Sequence, residues 1–302
     1  MDPLDQQLLD RLPGVTPLET LQTLWRGWGR IVRVRLADGT PAVVKQVRHA
    51  WDDGGVSAAR KRRSYEVEAA FYASYVSRDG MPRCPRPLQL EPGLFVLEDL
   101  DAAGFLGRAV GTHSLPPDRV EEVLHWLADL HGALLGDDGE GLWEQGSYWH
   151  LATRPEELEA MAPGPLKDAA AAIDARLRSA TFPTILHGDA KVANGSFGEG
   201  VAFVDFQYVG RGPGVVDVAY FLGSCLDDGA LSSQAGRLLD LYLDRLAEVV
   251  PASQMWSLRE EALALWPFAW ADFERFLAGW APSHWKRSGY AYRMTERALA
   301  AL

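Results

Sequence analysis

Residues 185–207 read ILHGDAKVANGSFGEGVAFVDFQ and place five polar side chains between short apolar runs and glycines. Polar groups in an apolar setting destabilise a fold unless they find partners. The segment is therefore either an unusually dense solvated loop or a functional site. The five polar residues are His187, Asp189, Lys191, Asn194 and Asp205.

The spacing within this segment favours the functional site. The pattern H-x-D-x-x-x-x-N, followed by an Asp at the end of the apolar run VAFVDF, is typical of a phosphoryl-transfer loop. In such a loop Asp189 would accept the proton of an attacking hydroxyl. Asn194 and Asp205 would supply the hard oxygen ligands that Mg²⁺ prefers. Lys191 would neutralise charge on the transferred phosphate.

The first hundred residues contain a lysine and a glutamate that would complete this site. Lys45 lies in the run AVVKQV on a predicted third strand, where an amine needs a partner. A helix predicted from Ala58 to about Ser77 carries Glu68, which would hold that amine on the nucleotide phosphates. Glu66 is the rival partner, but it lies roughly 160° away around the helix. Without Lys45, Glu68 would be interpreted as a solvated helix residue.

Two further segments are candidates for nucleotide contact. The segment WRGWGR at 25–30 contains Gly27 and Gly29, whose backbone N–H groups would approach phosphates. It lacks a full G-x-G-x-x-G, so a plain hairpin turn explains it equally well. The run LFVLEDL at 94–100 includes Glu98 and ends the predicted sheet, where the backbone would hydrogen-bond an adenine edge.

The order of patterns predicts an α+β fold with two lobes. Alternating β-branched residues over 20–48, a tight turn at Asp38-Gly39 and two further strands predict a small sheet with one helix. Beyond residue 100 the spacing becomes helical. We therefore expect an N-terminal nucleotide-binding lobe over 1–98 and a catalytic, substrate-binding helical lobe over 99–302. A cleft between lobes is a common ligand site. Helical patterns cover the region of Val120 to Leu134, residues 155–180 and most of the chain after Val215.

Composition excludes several classes of function. The chain has 302 residues and a formal net charge of −11, which argues against a nucleic-acid-binding surface. No apolar run is long enough to span a membrane, and the acidic N-terminus lacks signal-peptide features, so a cytoplasmic protein is expected. Cys84 and Cys225 are predicted to be buried thiols in a reducing compartment. The basic cluster at 60–63 is interpreted as a solvated helix start, with a phosphate-facing role as the alternative.

The chain resembles the aminoglycoside phosphotransferase and choline kinase superfamily, which shares the protein-kinase fold, and is nearest to its ecdysteroid-kinase-like branch. The resemblance implies ATP and Mg²⁺ as cofactors and a hydroxylated small molecule as substrate. It makes Asp189 the base, Asn194 and Asp205 the metal ligands, and Lys45 with Glu68 the nucleotide-orienting pair. The matching segments are RKRRSYEVEAAFY, FVLEDL, LADLHGALLG, LHGDAKVAN, AFVDFQYVG and GPGVVDVAYFLGSCL.

The resemblance also distinguishes residues with structural roles from residues with catalytic roles. Asp217 matches an aspartate that braces the catalytic loop. His131 and His187 are expected to be structural. Gly188 stands where protein kinases have an arginine, which argues against control by a phosphorylated activation loop. Lys191 departs from many antibiotic kinases, which often lack a lysine at this position.

The acceptor is predicted from the late aromatic segment LWPFAWADFERFLAGWAPSHW at 265–285. A pocket built from its surplus aromatics, with at most one carboxylate from Asp272 or Glu274, would suit an amphipathic or largely apolar alcohol. The alternative is that every aromatic belongs to the core. An antibiotic-inactivating phosphotransferase, a catalytically silent nucleotide-binding pseudokinase, and GTP in place of ATP remain open. The sequence does not indicate an oligomeric state.

Overall fold

The computed structural model describes residues 3–24, 27–47 and 55–302. Trp25 and Arg26 of the predicted turn, and most of the predicted loop 49–57, lie outside these residues. The N-terminal part forms a five-stranded antiparallel sheet in the order β1-β2-β3-β5-β4. Its elements are α1 (Pro3–Arg11), β1 (Thr16–Thr23), β2 (Gly29–Arg35), β3 (Pro41–Val47), α2 (Val56–Ser74), β4 (Pro87–Glu91) and β5 (Leu94–Glu98).

The period of two in these strands explains why a lysine stands in a buried strand. Val44 faces α1 across a small apolar core, together with residues of β2 and β5. The neighbouring residues Val43 and Lys45 point to the opposite face, since successive side chains alternate across a sheet. That face lines a cleft below the sheet. The third-strand position predicted for Lys45 is confirmed.

The C-terminal part is mainly helical, as predicted. Helix α7 is buried along its whole length, and α9 packs against α4, α6, α7 and α10. The elements are α3 (Pro117–Ala133), α4 (Pro155–Ala160), α5 (Pro165–Asp168), α6 (Ala170–Arg178), β6 (Thr184–Leu186), β7 (Gly195–Gly198), β8 (Gly200–Phe203), β9 (Gly210–Gly212), α7 (Val215–Cys225), α8 (Asp228–Val249), α9 (Ala252–Trp280) and α10 (Gly289–Ala300).

Two local differences from the sequence pattern have simple causes. Residues 155–180 form three short helices, because Pro163-Gly164-Pro165 interrupts the alanine-rich pattern and Gly164 lies at φ 158°. Helix α1 was not predicted. It covers the outer face of the sheet with Leu8, which is fully buried.

The predicted two-lobed α+β architecture is confirmed, whereas its boundary near residue 98 stays a prediction. Helix α2 connects the two parts, because Phe71 stacks on Phe206 of the C-terminal part with ring centroids 4.2 Å apart. Both cysteines are buried thiols, as expected. Within the ranges 3–24, 27–47 and 55–302, no helix is long and apolar enough to cross a membrane.

Candidate active site

Lys45 and Glu68 form a buried ion pair on the inner face of the sheet. Lys45 Nζ donates to Glu68 Oε2 at 2.7 Å, and both side chains are almost fully buried. Burial alone would lower the pKa of Lys45, but the charges of Glu68 and Asp205 outweigh it and the pKa is raised. The rival Glu66 is exposed and contacts Arg63. The choice of Glu68 over Glu66 therefore agrees with the geometry.

Asp205 stands on the opposite side of the same cleft and reaches the lysine. Its Oδ1 lies 3.4 Å from Lys45 Nζ, and about a third of its side chain (36%) is exposed to the cleft. Asp205 has a left-handed backbone at φ 72°, rare outside glycine. Burial would raise the pKa of its carboxyl, yet Lys45, Lys191 and Lys61 together lower it. The carboxylate is thus held ionised, as a ligand for a divalent cation must be.

Lys61 joins this group, which corrects the interpretation of 60–63 as a solvated helix start. It lies seven residues before Glu68 on α2, and seven residues bring a side chain back to nearly the same helix face. Its Nζ donates to Gln207 Oε1 at 2.7 Å. Burial and the nearby Lys45 lower the pKa of Lys61 to about 8. Arg60 also points inward, to the carbonyl of Thr153.

The catalytic-loop candidates are joined by direct hydrogen bonds. Lys191 Nζ donates to Asp189 Oδ2 at 2.7 Å. The Asn194 amide donates to the Asp189 carbonyl at 2.8 Å and to Asp189 Oδ2 at 3.2 Å. This turns the amide nitrogen of Asn194 toward the loop and leaves its carbonyl oxygen available to a ligand.

Gly188 is required by the shape of the loop. It lies at φ 76°, and a Cβ there would be 2.0 Å from the carbonyl oxygen of Tyr208. No other residue fits without moving backbone. The arginine found at this position in protein kinases therefore has no room in this chain.

Asp217 braces the loop from the first turn of α7, as the resemblance implies. Its carboxylate accepts the backbone N–H of His187 at 2.6 Å and of Gly188 at 3.0 Å. His131 is buried between Asp217 and Tyr242. His187 contacts the Val204 carbonyl, which ties the loop to the strand before Asp205. The structural roles expected for His131 and His187 agree with these contacts.

Tyr220 is a site residue that the sequence reasoning missed. Its hydroxyl donates to Asp189 Oδ1 at 3.1 Å, so that the two carboxylate oxygens of Asp189 have different partners. Tyr220 lies three residues after Asp217, one turn along the same face of α7. That spacing would have identified it once Asp217 was recognised as a brace.

The cleft has a volume of about 460 Å³ and contains most of the predicted cofactor residues. Lys45, Glu68, Glu98, Asn194 and Asp205 line it, and Asp189 adjoins through Asn194. Part of its lining is apolar, as a nucleobase site would be. The apolar residues include Leu24, Ile31, Val43, Leu97 and Val204.

The remaining nucleotide candidates contribute less. Gly27 lies at φ 70° and donates its N–H to the Leu24 carbonyl, as in an ordinary turn. Gly29 begins β2, where a Cβ would be 2.0 Å from the Gln46 carbonyl oxygen, so close strand pairing explains it. Neither glycine lines the cleft. The Glu98 carboxylate is occupied by Arg83 and Arg86, and the Glu98 N–H donates to the Arg86 carbonyl, so its contribution to a nucleotide site stays a prediction.

The donor set fits a magnesium ion that is completed by phosphate and water. The residues described contain no group of three or more His, Cys, Asp or Glu side chains that would hold a metal on their own. Magnesium commonly takes one or two protein oxygens together with substrate phosphates. An Asn carbonyl oxygen and an ionised Asp at the cleft floor match that pattern.

Comparison with known proteins agrees with this geometry. The sequence profile of the phosphotransferase enzyme family matches residues 20–252. The chain belongs to the phosphotransferase enzyme family. The ecdysteroid-kinase-like branch stays a prediction. No curated protein sequence matches the chain.

Solved structures of similar fold include three phosphotransferases. A macrolide 2′-phosphotransferase from Brachybacterium faecium is 15% identical, covers 100% of this chain and 98% of its own, and has a TM-score of 0.51. A choline/ethanolamine kinase family protein from Mesorhizobium loti is 16% identical, with coverages of 99% and 95% and a TM-score of 0.52. A choline kinase from Cryptosporidium parvum is 11% identical, with coverages of 98% and 93% and a TM-score of 0.55. At these identities the likeness shows the fold alone.

The two acidic residues of the late aromatic segment are both buried on the acceptor side of this phosphotransferase. Asp272 is buried in an ion pair with Arg275, and Glu274 is buried against Arg287 at 2.7 Å. Both carboxylates are held by arginines, so this segment presents no exposed carboxylate, which is within the expectation of at most one. Burial leaves both with raised pKa values despite their arginine partners.

The late aromatics divide into two groups. Most are core residues, but Trp280 and Trp285 remain 55% and 52% exposed. Trp280 stacks on Phe276, and the row continues through His284 to Trp285. At the buried end of this row, Phe276 contacts Tyr148, which in turn contacts Tyr220. The core members are Trp266, Phe268, Trp270, Phe273 and Phe276.

Proposed function

We propose that the protein is an ATP- and Mg²⁺-dependent kinase that transfers the γ-phosphate to a hydroxyl of a small molecule. The convergence of Lys45–Glu68 from the sheet and Asn194 with Asp205 from the helical part on one cleft carries this proposal. Family membership supports phosphoryl transfer as the chemistry.

Each residue has a role that follows from its contacts. Lys45, held by Glu68, would bind nucleotide phosphates. Asp189, oriented by Tyr220, Asn194 and Lys191, would accept the acceptor proton. The acceptor oxygen then bonds to the γ-phosphorus as the bond to the bridging oxygen breaks and ADP leaves. Lys191 would stabilise the charge that develops on the transferred group.

Asn194 and Asp205 would hold Mg²⁺ against the phosphates. The bound ion would offset phosphate charge and fix the geometry of the transferred group. The protein prepares this by keeping Asp205 ionised and the Asn194 oxygen turned away from the loop.

We further propose an acceptor with an apolar body rather than a polycationic one. Each buried ammonium of a polycation requires a carboxylate partner, and the two candidate carboxylates of α9 are taken by arginines. The exposed row at Trp280 and Trp285 offers aromatic surface instead. This choice agrees with the ecdysteroid-kinase-like branch that the motifs favour.

The test is an ADP-release screen with ATP, Mg²⁺ and a panel of sterols, macrolides, amino alcohols, hydroxy acids and aminoglycosides. We expect turnover on at least one amphipathic alcohol and none on aminoglycosides. Asp189→Asn should lower turnover by about 10² or more, because it cannot take the proton, while binding of an ATP analogue survives.

Three results would contradict the proposal in different parts. Nucleotide binding without phosphate transfer to any acceptor would favour the silent pseudokinase. Near-normal turnover by Asp189→Asn would remove the residue from the mechanism. Selective phosphorylation of aminoglycosides would leave the kinase intact and refute the acceptor class.

A further inference from the structure

One of the few lysines in the chain lies between α9 and α10 and has no role in the site described above. The chain has only five lysines, against 25 arginines. Lys45, Lys61 and Lys191 belong to the site described above, and Lys167 lies on the surface against two backbone carbonyls. The fifth, Lys286, lies in the segment between α9 and α10. Because most basic residues of the chain are arginines, the compact ammonium of Lys286 requires a specific reason.

Lys286 lies beside the catalytic loop on the acceptor side. Its Nζ is 4.5 Å from the ring centroid of Tyr220, 5.7 Å from that of Phe273 and 5.6 Å from that of Trp285. Tyr220 is the residue whose hydroxyl holds Asp189. A single phenol ring therefore separates the ammonium from the proposed base.

Among the residues that the structure describes, no carboxylate forms an ion pair with the Lys286 ammonium. Within the described ranges, every other lysine amine is hydrogen-bonded, whereas the Lys286 amine contacts only aromatic faces. Cation–π contacts are weaker than the ion pairs that normally accompany a desolvated charge. Lys286 is half-buried, so its ammonium remains accessible to an anion that enters beside the aromatic rings.

The surrounding charges agree with a cation in need of a partner. Burial lowers the pKa of Lys286 to about 8, although the charge of Asp189 acts in the opposite direction. Lys191 adds to the lowering, and Cys225 is a buried thiol whose own pKa is raised by burial. His284 has a pKa lowered by burial and by Lys286 itself. Of the described residues, Asp189 is the carboxylate whose charge acts on Lys286, and it already bonds to Lys191 and Tyr220.

We propose that Lys286 binds an anionic group of the acceptor, so that the substrate is an alcohol that also carries a carboxylate or a phosphate ester. The inference rests on the proposed function, because it identifies the acceptor side by Asp189. The separation by one ring places the anionic group a few bonds from the reacting hydroxyl. The apolar remainder would lie on the exposed rings of Trp280 and Trp285.

The few lysines allow one experiment to report on both sites. Trace acetylation with N-acetoxysuccinimide, followed by peptide mass spectrometry, gives the relative reactivity of every lysine in the full chain. The probes are Mg²⁺ with a non-hydrolysable ATP analogue, and then 4-(hydroxymethyl)benzoate and a panel of hydroxy acids and hydroxyalkyl phosphates. Each anion is paired with the uncharged amide or alcohol of the same skeleton.

We expect Lys286 to react at least about fivefold more slowly with one or more of the anionic alcohols at saturation, and little changed with their uncharged partners. The carboxylate and phosphate arms identify which anion is used. Lys167 is the internal control and should not respond to either probe. Lys61 and Lys191 should respond to the nucleotide analogue.

The outcomes separate the two proposals. In one outcome the nucleotide protects Lys61 and Lys191 while no anion protects Lys286. That result overturns the proposal of an anionic acceptor but is consistent with the proposed kinase. Protection of Lys286 alone overturns the kinase and leaves an anion site. Equal protection of Lys286 by anions and by their uncharged partners also overturns the inference.

Kinetics on a protecting alcohol complete the test. Lys286→Met should raise KM for the anionic acceptor by about tenfold or more, because a charged hydrogen bond is lost. Lys286→Arg should restore part of that loss, and Lys167→Met should match wild type. Melting temperatures establish that the variants fold. A loss of the same size on the uncharged partner would show that Lys286 does not recognise the anion.

Discussion

The charged side chains on the two sides of the catalytic loop differ in whether they have ionic partners. On the nucleotide side Lys45 is paired with Glu68 and Asp205, and Lys191 is paired with Asp189. On the acceptor side Asp272 and Glu274 are paired with arginines, and the contacts of Lys286 with described residues are to aromatic rings. The nucleotide side therefore has its charges arranged before any ligand binds, whereas Lys286 on the acceptor side lacks an ionic partner among the residues that the structure describes.

The difference has a physical reason. Phosphoryl transfer depends on charges that are already oriented, because reorientation during the reaction would raise the barrier. Recognition of an acceptor depends on groups that are better satisfied in the complex than without it. The following experiments test whether this division holds, beginning with the largest expected effect.

The largest effect should come from Arg275, which we assign to structure rather than to recognition. Arg275→Met leaves Asp272 buried without its partner, and breaking such a pair destabilises a fold by about 3–5 kcal/mol. Chemical denaturation measures the loss. Arg293→Met, at an exposed arginine, is the control and should stay within about 0.5 kcal/mol of wild type.

The same variant should show a characteristic pH dependence. Asp272 already has a pKa raised by burial, and loss of Arg275 would raise it further. A carboxyl with a raised pKa in the folded state binds more protons folded than unfolded, so stability falls as pH rises. Arg275→Met should therefore be closer to wild type near pH 4 than near pH 7. A deficit independent of pH would mean that Asp272 does not carry the penalty.

The next effect concerns the metal. Asp205→Ala removes one of only two proposed protein ligands and should lower turnover by about 10² or more. Its Mg²⁺ titration should also shift to higher concentration. Glu199→Ala, at an exposed carboxylate on the β7–β8 turn, is the matched control. A titration of Asp205→Ala that superimposes on wild type would exclude Asp205 as a ligand.

The third effect distinguishes the roles of Lys45 and Lys191 on the nucleotide side. Lys45→Met should raise KM for ATP by about 10-fold to 100-fold, since it removes a charged contact to bound phosphates. Lys191→Met should instead lower kcat, because its charge matters most as the phosphate moves. Steady-state kinetics with ATP varied at saturating acceptor measure both. Identical kinetic profiles for the two variants would refute this division.

The nucleotide side could be predicted from sequence because its residues recur at short, fixed spacings. Asp189, Asn194 and Asp205 fall within 17 residues, and their partner Lys45 lies in a strand that excludes unpaired charge. Helix geometry placed Glu68 and Glu66 on different faces, and the resemblance selected Glu68. These inferences needed no knowledge of long-range contacts.

The acceptor side could not be predicted because tertiary contacts define it. Lys286 lies over the ring of Tyr220 only because the segment after α9 folds against α7. At most one acidic residue of α9 was expected in the pocket, and Arg275 and Arg287 pair with both of them. Lys61 belongs to the basic cluster at 60–63, and which residue of that cluster faces the cleft depends on how α2 packs.

The smallest effect, and the sharpest test of the division, concerns Tyr220, which belongs to both sides. Its hydroxyl holds Asp189 and its ring face contacts Lys286. Tyr220→Phe removes only the hydrogen bond, a loss of about 1 kcal/mol, so kcat should fall by roughly fivefold on every acceptor. Tyr220→Leu removes the ring as well and should further raise KM for an anionic acceptor, with little added effect on an uncharged one. If Phe and Leu variants behave alike on both acceptors, the ring does not support Lys286, and the two sides are not connected through this residue.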